Sequence, residues 1–214
     1  MRILCVADEP DRAIWDGAAP ERIREADLII SCGDLPAAYL EFLVTMASCP
    51  LLYVEGNHDG RYAVRPPEGC ENIDGKVFTY RGLKIAGLGG SMRYKDGPCM
   101  YTEKEMKKRI TRLRIPPRSL EGLDILVTHA PPKDCGDMED LPHQGFACFN
   151  ELLDRYHPSY LLHGHVHRSY GGFVQQRVHR SGTRVINCYD YLQLDIPDPP
   201  AAERRTLWHL IRGC

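Results

Sequence analysis

The residues best suited to chemistry lie in YLLHGHVHRSY, residues 160 to 170, where His163, His165 and His167 recur at every second position directly after an apolar run. In an extended chain that spacing puts all three imidazoles on one side. Imidazole is a common transition-metal ligand, and a strand running out into a loop can aim alternate rings at one point. A lone histidine in such a place is ordinarily half-buried, with its ring nitrogens satisfied by backbone. Three at period two ask instead whether the chain supplies matching oxygen donors.

Such donors end the other apolar runs. RILCVAD closes on Asp8, DLIISCGD on Asp34, LLYVEGNHD on Asn57, His58 and Asp59, and LDILVTHAPP carries His129. These runs read as strands. Helical signals lie between them. Residues 36 to 48 open on Pro36 with apolar residues at helical spacing, residues 102 to 114 begin on a Thr102 cap with Glu105 three positions on, and residues 145 to 157 give a third helix. Strands alternating with helices imply a largely parallel sheet, whose functional loops lie at the carboxyl ends of its strands. The five ligand-bearing loops are therefore expected on one edge. Past residue 170, FVQQRVHR, TRVINCYDYLQL and RTLWHLIR read as strands without intervening helices; with KVFTY and LKIAGLGG they would make a second sheet.

Composition narrows the class. At 214 residues without a low-complexity linker, the chain reads as one domain, 1 to 214, and 43% hydrophobic with 26% charged residues is ordinary globular composition. A formal charge of −2 gives no general pull toward nucleic acid or an anionic membrane. No run of eighteen apolar residues occurs, and the N-terminal run is short, so a soluble, unexported, cytoplasmic protein is expected. Nine cysteines without a Cys-x-x-Cys pair suit a reducing compartment. Cys5, Cys32 and Cys188 read as small core hydrophobes, and Cys135 and Cys148 as inert thiols in or beside a polar loop.

Taken in order, GDL at 33 to 35, GNHD at 56 to 59, TH at 128 to 129 and GHVH at 164 to 167 resemble the signature of the calcineurin-like metallophosphoesterases, from the N-terminus to about His167. The resemblance implies an α/β fold, a four-layer α/β/β/α sandwich of two mixed sheets flanked by helices, with two metal ions at the carboxyl ends of the strands. It implies that Asp34 bridges both ions, that Asn57, His129 and His165 complete one site, and that Asp8 and His167 belong to the other. Mixed nitrogen and oxygen ligation suits manganese, iron or zinc. The resemblance further implies hydrolysis of a phosphate ester by a water activated between two cations. His58 would face the leaving oxygen as proton donor or as a cationic stabiliser, with Asp59 orienting its ring. His163 falls outside the motif and reads as a supporting or core histidine.

One position departs from the family pattern. The family has histidine two residues after the first aspartate, but Pro10 stands there and cannot coordinate. Glu9 would replace it if the loop bends, water would fill the gap, or the site would stay empty. The segment 89 to 97 offers Arg93 as a phosphate or substrate contact and Tyr94 as a stacking surface. Residues 131 to 145 must lie near the site if His129 is a ligand, and they carry His143 with Asp134, Asp137, Glu139 and Asp140. Those acids disfavour a highly charged polyphosphate. The sequence therefore points to a metal-dependent phosphodiesterase, with a phosphomonoesterase and a non-catalytic metal-binding scaffold, such as the retromer scaffold subunit, as rivals.

Overall fold

The structure, a computed structural model, describes residues 1–116, 122–171 and 173–197. The strand read at RTLWHLIR lies outside the described residues. In chain order the strands are β1 (Arg2–Ala7), β2 (Leu28–Ser31), β3 (Leu51–Tyr53), β4 (Glu71–Asn72), β5 (Val77–Tyr80), β6 (Leu83–Leu88), β7 (Ser91–Met92), β8 (Met100–Tyr101), β9 (Ile125–Thr128), β10 (Tyr160–His163), β11 (Gln176–Val178), β12 (Arg184–Asn187) and β13 (Asp190–Asp195). The helices are α1 (Arg12–Trp15), α2 (Glu21–Arg24), α3 (Ala37–Met46), α4 (Glu103–Arg112) and α5 (Ala147–Tyr156).

One sheet runs β13-β1-β2-β3-β4 and the other β11-β12-β10-β9-β6-β5; a short β7-β8 pair stands apart. Both large sheets are mixed. β1 to β4 are parallel, with β13 antiparallel on the outer side of β1. In the second sheet β12, β10, β9 and β6 are parallel, and β11 and β5 close its edges antiparallel. Alternation of side chains along each strand builds the layers. Ile3, Cys5, Ala7, Ile30 and Leu52 pack against Ile85, Val127, Leu162 and Ile186 between the sheets. The alternate residues Leu4, Val6 and Ile29 meet Ile14, Ile23, Leu40 and Leu43 of α1 to α3. Leu126, Leu161 and Val185 meet Met106, Phe149 and Leu153 of α4 and α5. The result is the expected four-layer sandwich. Each fully buried aliphatic side chain contributes roughly 1.5–3 kcal/mol, which explains why both faces of the central strands are apolar.

Two expectations need correction. The five ligand-bearing strands do not share a sheet: β1, β2 and β3 lie in the first, β9 and β10 in the second. Their carboxyl ends still meet, because the two sheets stack face to face with those ends at the same rim. TRVINCYDYLQL is also not one strand of the second sheet. Its first half is β12, and its second half, β13, crosses to pair with β1 from Arg2↔Asp195 to Ala7↔Asp190, covering an edge that β1 would otherwise expose.

The helix read at Thr102 forms with its capping box complete: Thr102 Oγ1 accepts from Glu105 N at 3.3 Å and Glu105 Oε2 accepts from Thr102 N at 2.8 Å. Thr102→Ala is expected to lower the unfolding free energy by about 1 kcal/mol, measured as a reduced urea midpoint at unchanged slope.

Candidate metal centre

Three of the loops leaving the strands turn in the left-handed region at a non-glycine residue, Asp8 at φ 66°, Asp34 at φ 59° and His165 at φ 70°. Aspartate tolerates this region better than most residues; histidine there requires support from its surroundings. The support is visible. His165 N donates to both carboxylate oxygens of Asp8 at 3.0 Å. Gly164 permits the approach, since a Cβ there would sit 2.5 Å from Asp8 Oδ2. Gly56 does the same for the neighbouring loop, where a Cβ would lie 2.1 Å from Asp34 Oδ1.

At the bottom of this rim His129 is fully buried, and its Nδ1 donates to Cys32 O at 2.8 Å. That bond uses the single ring proton of the neutral imidazole. Nε2 is left facing Asn57 Oδ1 at 3.0 Å and Asp34 Oδ2 at 3.2 Å. Three acceptors thus converge with no proton among them, an arrangement that needs either protonation of His129 or a cation. Without a cation the proton is what the electrostatics give. Burial by itself would lower the His129 pKa, but the Asp34 carboxylate outweighs it and the pKa rises to about 9. Burial likewise opposes ionisation of Asp34, yet His129 and the His58 N–H hold that carboxyl down at about 2. His165 completes the group: the ligand atoms of Asp34, His129 and His165 lie within 4.8 Å of one another. Its Nε2 donates to Pro142 O at 2.8 Å, leaving Nδ1 as the electron-pair donor. Nitrogen and oxygen donors with fixed tautomers fit a transition-metal ion.

The other half of the rim is more open. His167 Nε2 lies 3.6 Å from Asp8 Oδ1, with the His167 side chain 31% exposed and that of Asp8 fully buried. The ring of His167 stacks on Tyr170 at 4.7 Å and tilts against Tyr189 at 4.9 Å. Glu9 is engaged elsewhere. Its Oε2 accepts from the Tyr189 hydroxyl at 2.5 Å, and its side chain lines a separate surface cleft with Pro10 and Trp15. His163 is buried, donates from Nδ1 to Gly164 O at 2.9 Å, and has its pKa lowered by burial to about 4; it is a neutral core residue.

Asp8, Asp34, Asn57, His58, His165 and His167 all line one cleft of about 290 Å³. Tyr94, His143 and Tyr170 also line it. Arg93 does not. Its guanidinium is drawn to Met100 O at 3.2 Å and to Glu105 at 3.0 Å, so the expected substrate contact is instead tied to the capping box of α4. Asp59 requires a second correction. Its Oδ2 accepts from Asp34 N at 2.7 Å and Gly56 N at 2.8 Å, joining two loops rather than orienting the His58 ring. Burial, then the nearby Asp34 charge, raises the Asp59 pKa to about 7. His58 itself is exposed, and its N–H donates to Asp34 Oδ1 at 2.7 Å. Sequence reasoning passed over Tyr170, Tyr189 and the carbonyl of Pro142. Tyr170 had a signal, lying three residues beyond His167; a backbone carbonyl and a tyrosine so distant in sequence had none.

The model of the calcineurin-like phosphoesterase superfamily domain matches residues 1–188. The chain belongs to that superfamily. It is 27% identical over 173 residues to an uncharacterized protein of Haemophilus influenzae, covering 66% of this chain and 73% of that one. It is also 23% identical over 248 aligned positions to UPF0046 protein C25E10.12 of Caenorhabditis elegans, covering 96% and 84%. The crystal structure of TT1561 of Thermus thermophilus shares the fold, with a TM-score of 0.57 at 17% identity over 88% of this chain and 89% of that one. Family and donor set together support a metal-dependent phosphoesterase. Among the described residues no helix is long and apolar enough to cross a membrane.

The pKa shifts set a pH dependence for the metal-free protein. His129 is raised from 6.5 to about 9 on folding and Asp59 from 3.8 to about 7. In both cases the folded state binds the proton more tightly, so stability present below the unfolded value is lost as pH rises through the folded one. Burial lowers the pKa of His163 to about 4 and that of His165 well below its ordinary value, which acts in the opposite sense below pH 6.5, so the thermal midpoint of the metal-free chain is expected to fall between about pH 7 and 9. Excess Mn²⁺ should remove the alkaline part of that fall, because a cation replaces the His129 proton. A midpoint that rises with pH between 7 and 9 in chelator would contradict this account.

Proposed function

We propose that this chain is a phosphodiester hydrolase using two transition-metal ions, manganese, iron or zinc, held on either side of Asp34. The observation that carries the reading is the convergence of Asp34 Oδ2, Asn57 Oδ1 and His129 Nε2 on one point that takes either a proton or a cation. In this reading Asn57, His129 and His165 hold one ion with Asp34, and Asp8 and His167 hold the other with it. When bound, the ions supply Lewis-acid charge to the phosphoryl oxygens and lower the pKa of an attacking water.

The chain's own residues do the rest. In the metal-free protein Asp34 keeps its charge because protonated His129 and the His58 N–H stabilise it. Asp59 holds the Asp34 and Gly56 loops at fixed spacing. His58, exposed at the mouth of the cleft and anchored through its backbone, gives its proton to the leaving oxygen. Tyr170 limits rotation of His167 by stacking on it. His143, whose Nδ1 donates to Asp140 Oδ2 at 2.6 Å, faces the cleft as a substrate contact. Asp140, paired with His143 beside the cleft, adds negative charge there and favours a monoanionic diester over a dianionic monoester, while Asp134, Asp137 and Glu139 line a different cleft with Lys133 and Arg177.

With Mn²⁺ present, bis(4-nitrophenyl) phosphate should be cleaved faster than 4-nitrophenyl phosphate. His58→Ala should lower turnover by roughly 10²-fold or more for esters of poorly acidic alcohols and far less for nitrophenyl esters, whose leaving group needs no proton. An equal loss on both would remove His58 from proton transfer. Metal bound per chain, read by mass spectrometry after saturation and desalting, should reach two in the wild type and one in His167→Ala. Pro10→His should tighten the weaker ion by restoring the absent donor. A wild type that retains no more than one ion would reduce the site to a single-metal centre.

A further inference from the structure

A second, larger cleft of about 610 Å³ begins where the metal-bearing one ends, sharing Asp34 and His58 with it. Its floor is apolar, made by Leu35, Ala37 and Ala38, and its far wall carries Arg61 and Arg65. The two arginines follow from a local turn: a short 3-10 helix spans Asp59–Ala63, and Arg65 N donates to Arg61 O at 2.9 Å, placing both residues one turn apart. That turn is pinned on both sides. The Tyr62 hydroxyl donates to Leu35 O, and Gly60 lies so close to Pro98 that a Cβ would come within 2.4 Å of its ring.

Some arginines, Arg22, Arg93, Arg109 and Arg180 among them, are each neutralised by a carboxylate, while others such as Arg12 and Arg24 have no acid partner among the described residues. Arg61 and Arg65 are exposed, and among the described residues neither pairs with an acid. Two guanidinium groups on a rigid turn beside an apolar floor suit a ligand with an organic body and an anionic end. The position of His58 says which part of a substrate this is. If His58 protonates the leaving oxygen, the group attached to that oxygen departs on the side of His58 away from the metal-bearing cleft, into the space that Arg61 and Arg65 border. Resting on the hydrolase reading, we propose that the substrate is a diester whose leaving alcohol carries its own anionic group, a carboxylate, sulfonate or phosphate, and that Arg61 and Arg65 bind that group and set the specificity of the reaction. In the step so defined, a water loses a proton to solvent as its oxygen bonds to phosphorus, the bond from phosphorus to the leaving oxygen breaks, that oxygen takes a proton from His58, and solvent reprotonates His58.

The test compares methyl 4-sulfonatophenyl phosphate with methyl 4-carbamoylphenyl phosphate, which present an anionic and a neutral leaving phenol of similar acidity. Wild-type kcat/KM should favour the sulfonate by about tenfold, the scale of one charge-assisted contact. In Arg61→Gln/Arg65→Gln the ratio should fall to about one, and in Arg61→Glu/Arg65→Glu it should invert, as like charges repel. An independent readout is NMR titration of the full chain with zinc and 4-hydroxybenzenesulfonate, in which the Nε–Hε signals of Arg61 and Arg65 should shift. Turnover of both diesters with a ratio near one and no shift of either arginine overturns the inference. Shifts without turnover of either diester preserve the anion-binding cleft and overturn the hydrolase reading beneath it.

Discussion

The carboxylate of Asp34 is the group on which the rest of the rim depends. One oxygen accepts from His58 N at 2.7 Å, the other meets His129 Nε2 at 3.2 Å, and its own N–H is held by Asp59 at 2.7 Å. It therefore ties the loop after β2 to the loop after β3 and to the loop after β9, which belongs to the other sheet. A buried charge so placed is costly unless compensated, and here the compensation is electrostatic and local. The same compensation is what a bound cation would strengthen. Fold and site are thus one problem: the sheets stack so that three loops reach one carboxylate, and the carboxylate keeps the stacked rims in register.

Backbone conformation shows how tightly this is specified. Asp8, Asp34 and His165 all sit at positive φ, and the glycines at 56 and 164 are the places where a side chain would collide with a carboxylate. Strain at single residues costs on the order of 1–3 kcal/mol and persists where the surroundings over-determine it. The surroundings here are parallel strands whose two faces are both buried, so the loops begin from a platform with little freedom. Rigid strands and strained loop residues place donor atoms without the donors having to attract one another.

Much of this was legible in the sequence, for a definite reason. Strand ends are where a β/α protein keeps its chemistry, and Asp8, Asp34, Asn57, His129, His165 and His167 each follow an apolar run whose boundary the residue types mark. Helices α3, α4 and α5 were equally visible from period and capping. What stayed hidden depends on partners distant in sequence. Nothing local tells whether a strand joins the first or second sheet, so β13 was misplaced; its pairing with β1 is decided by which edge is open. Arg93 reads as a free cation until Glu105, 12 residues away, is seen to take it. Asp59 reads as a partner of its neighbour His58 until two backbone N–H groups from different loops are found on its carboxylate.

The two halves of the rim differ in a way that Pro10 makes intelligible. Around His129 both histidines are buried and each has its tautomer fixed by a backbone carbonyl, that of Cys32 for His129 and of Pro142 for His165. Around His167 no such carbonyl acts among the described residues; the ring is held by stacking on Tyr170 and by Tyr189, whose hydroxyl is in turn engaged by Glu9. Proline at position 10 removes a donor, and the aromatic rings beside His167 supply packing where a ligand would otherwise fix it. Stacking restrains a ring's plane but not its distance from a metal, whereas a hydrogen bond to the far nitrogen restrains both. On the two-ion reading proposed above, the buried half would hold its ion more tightly than the open half, an asymmetry that comes from hydrogen bonding and burial more than from the number of ligands.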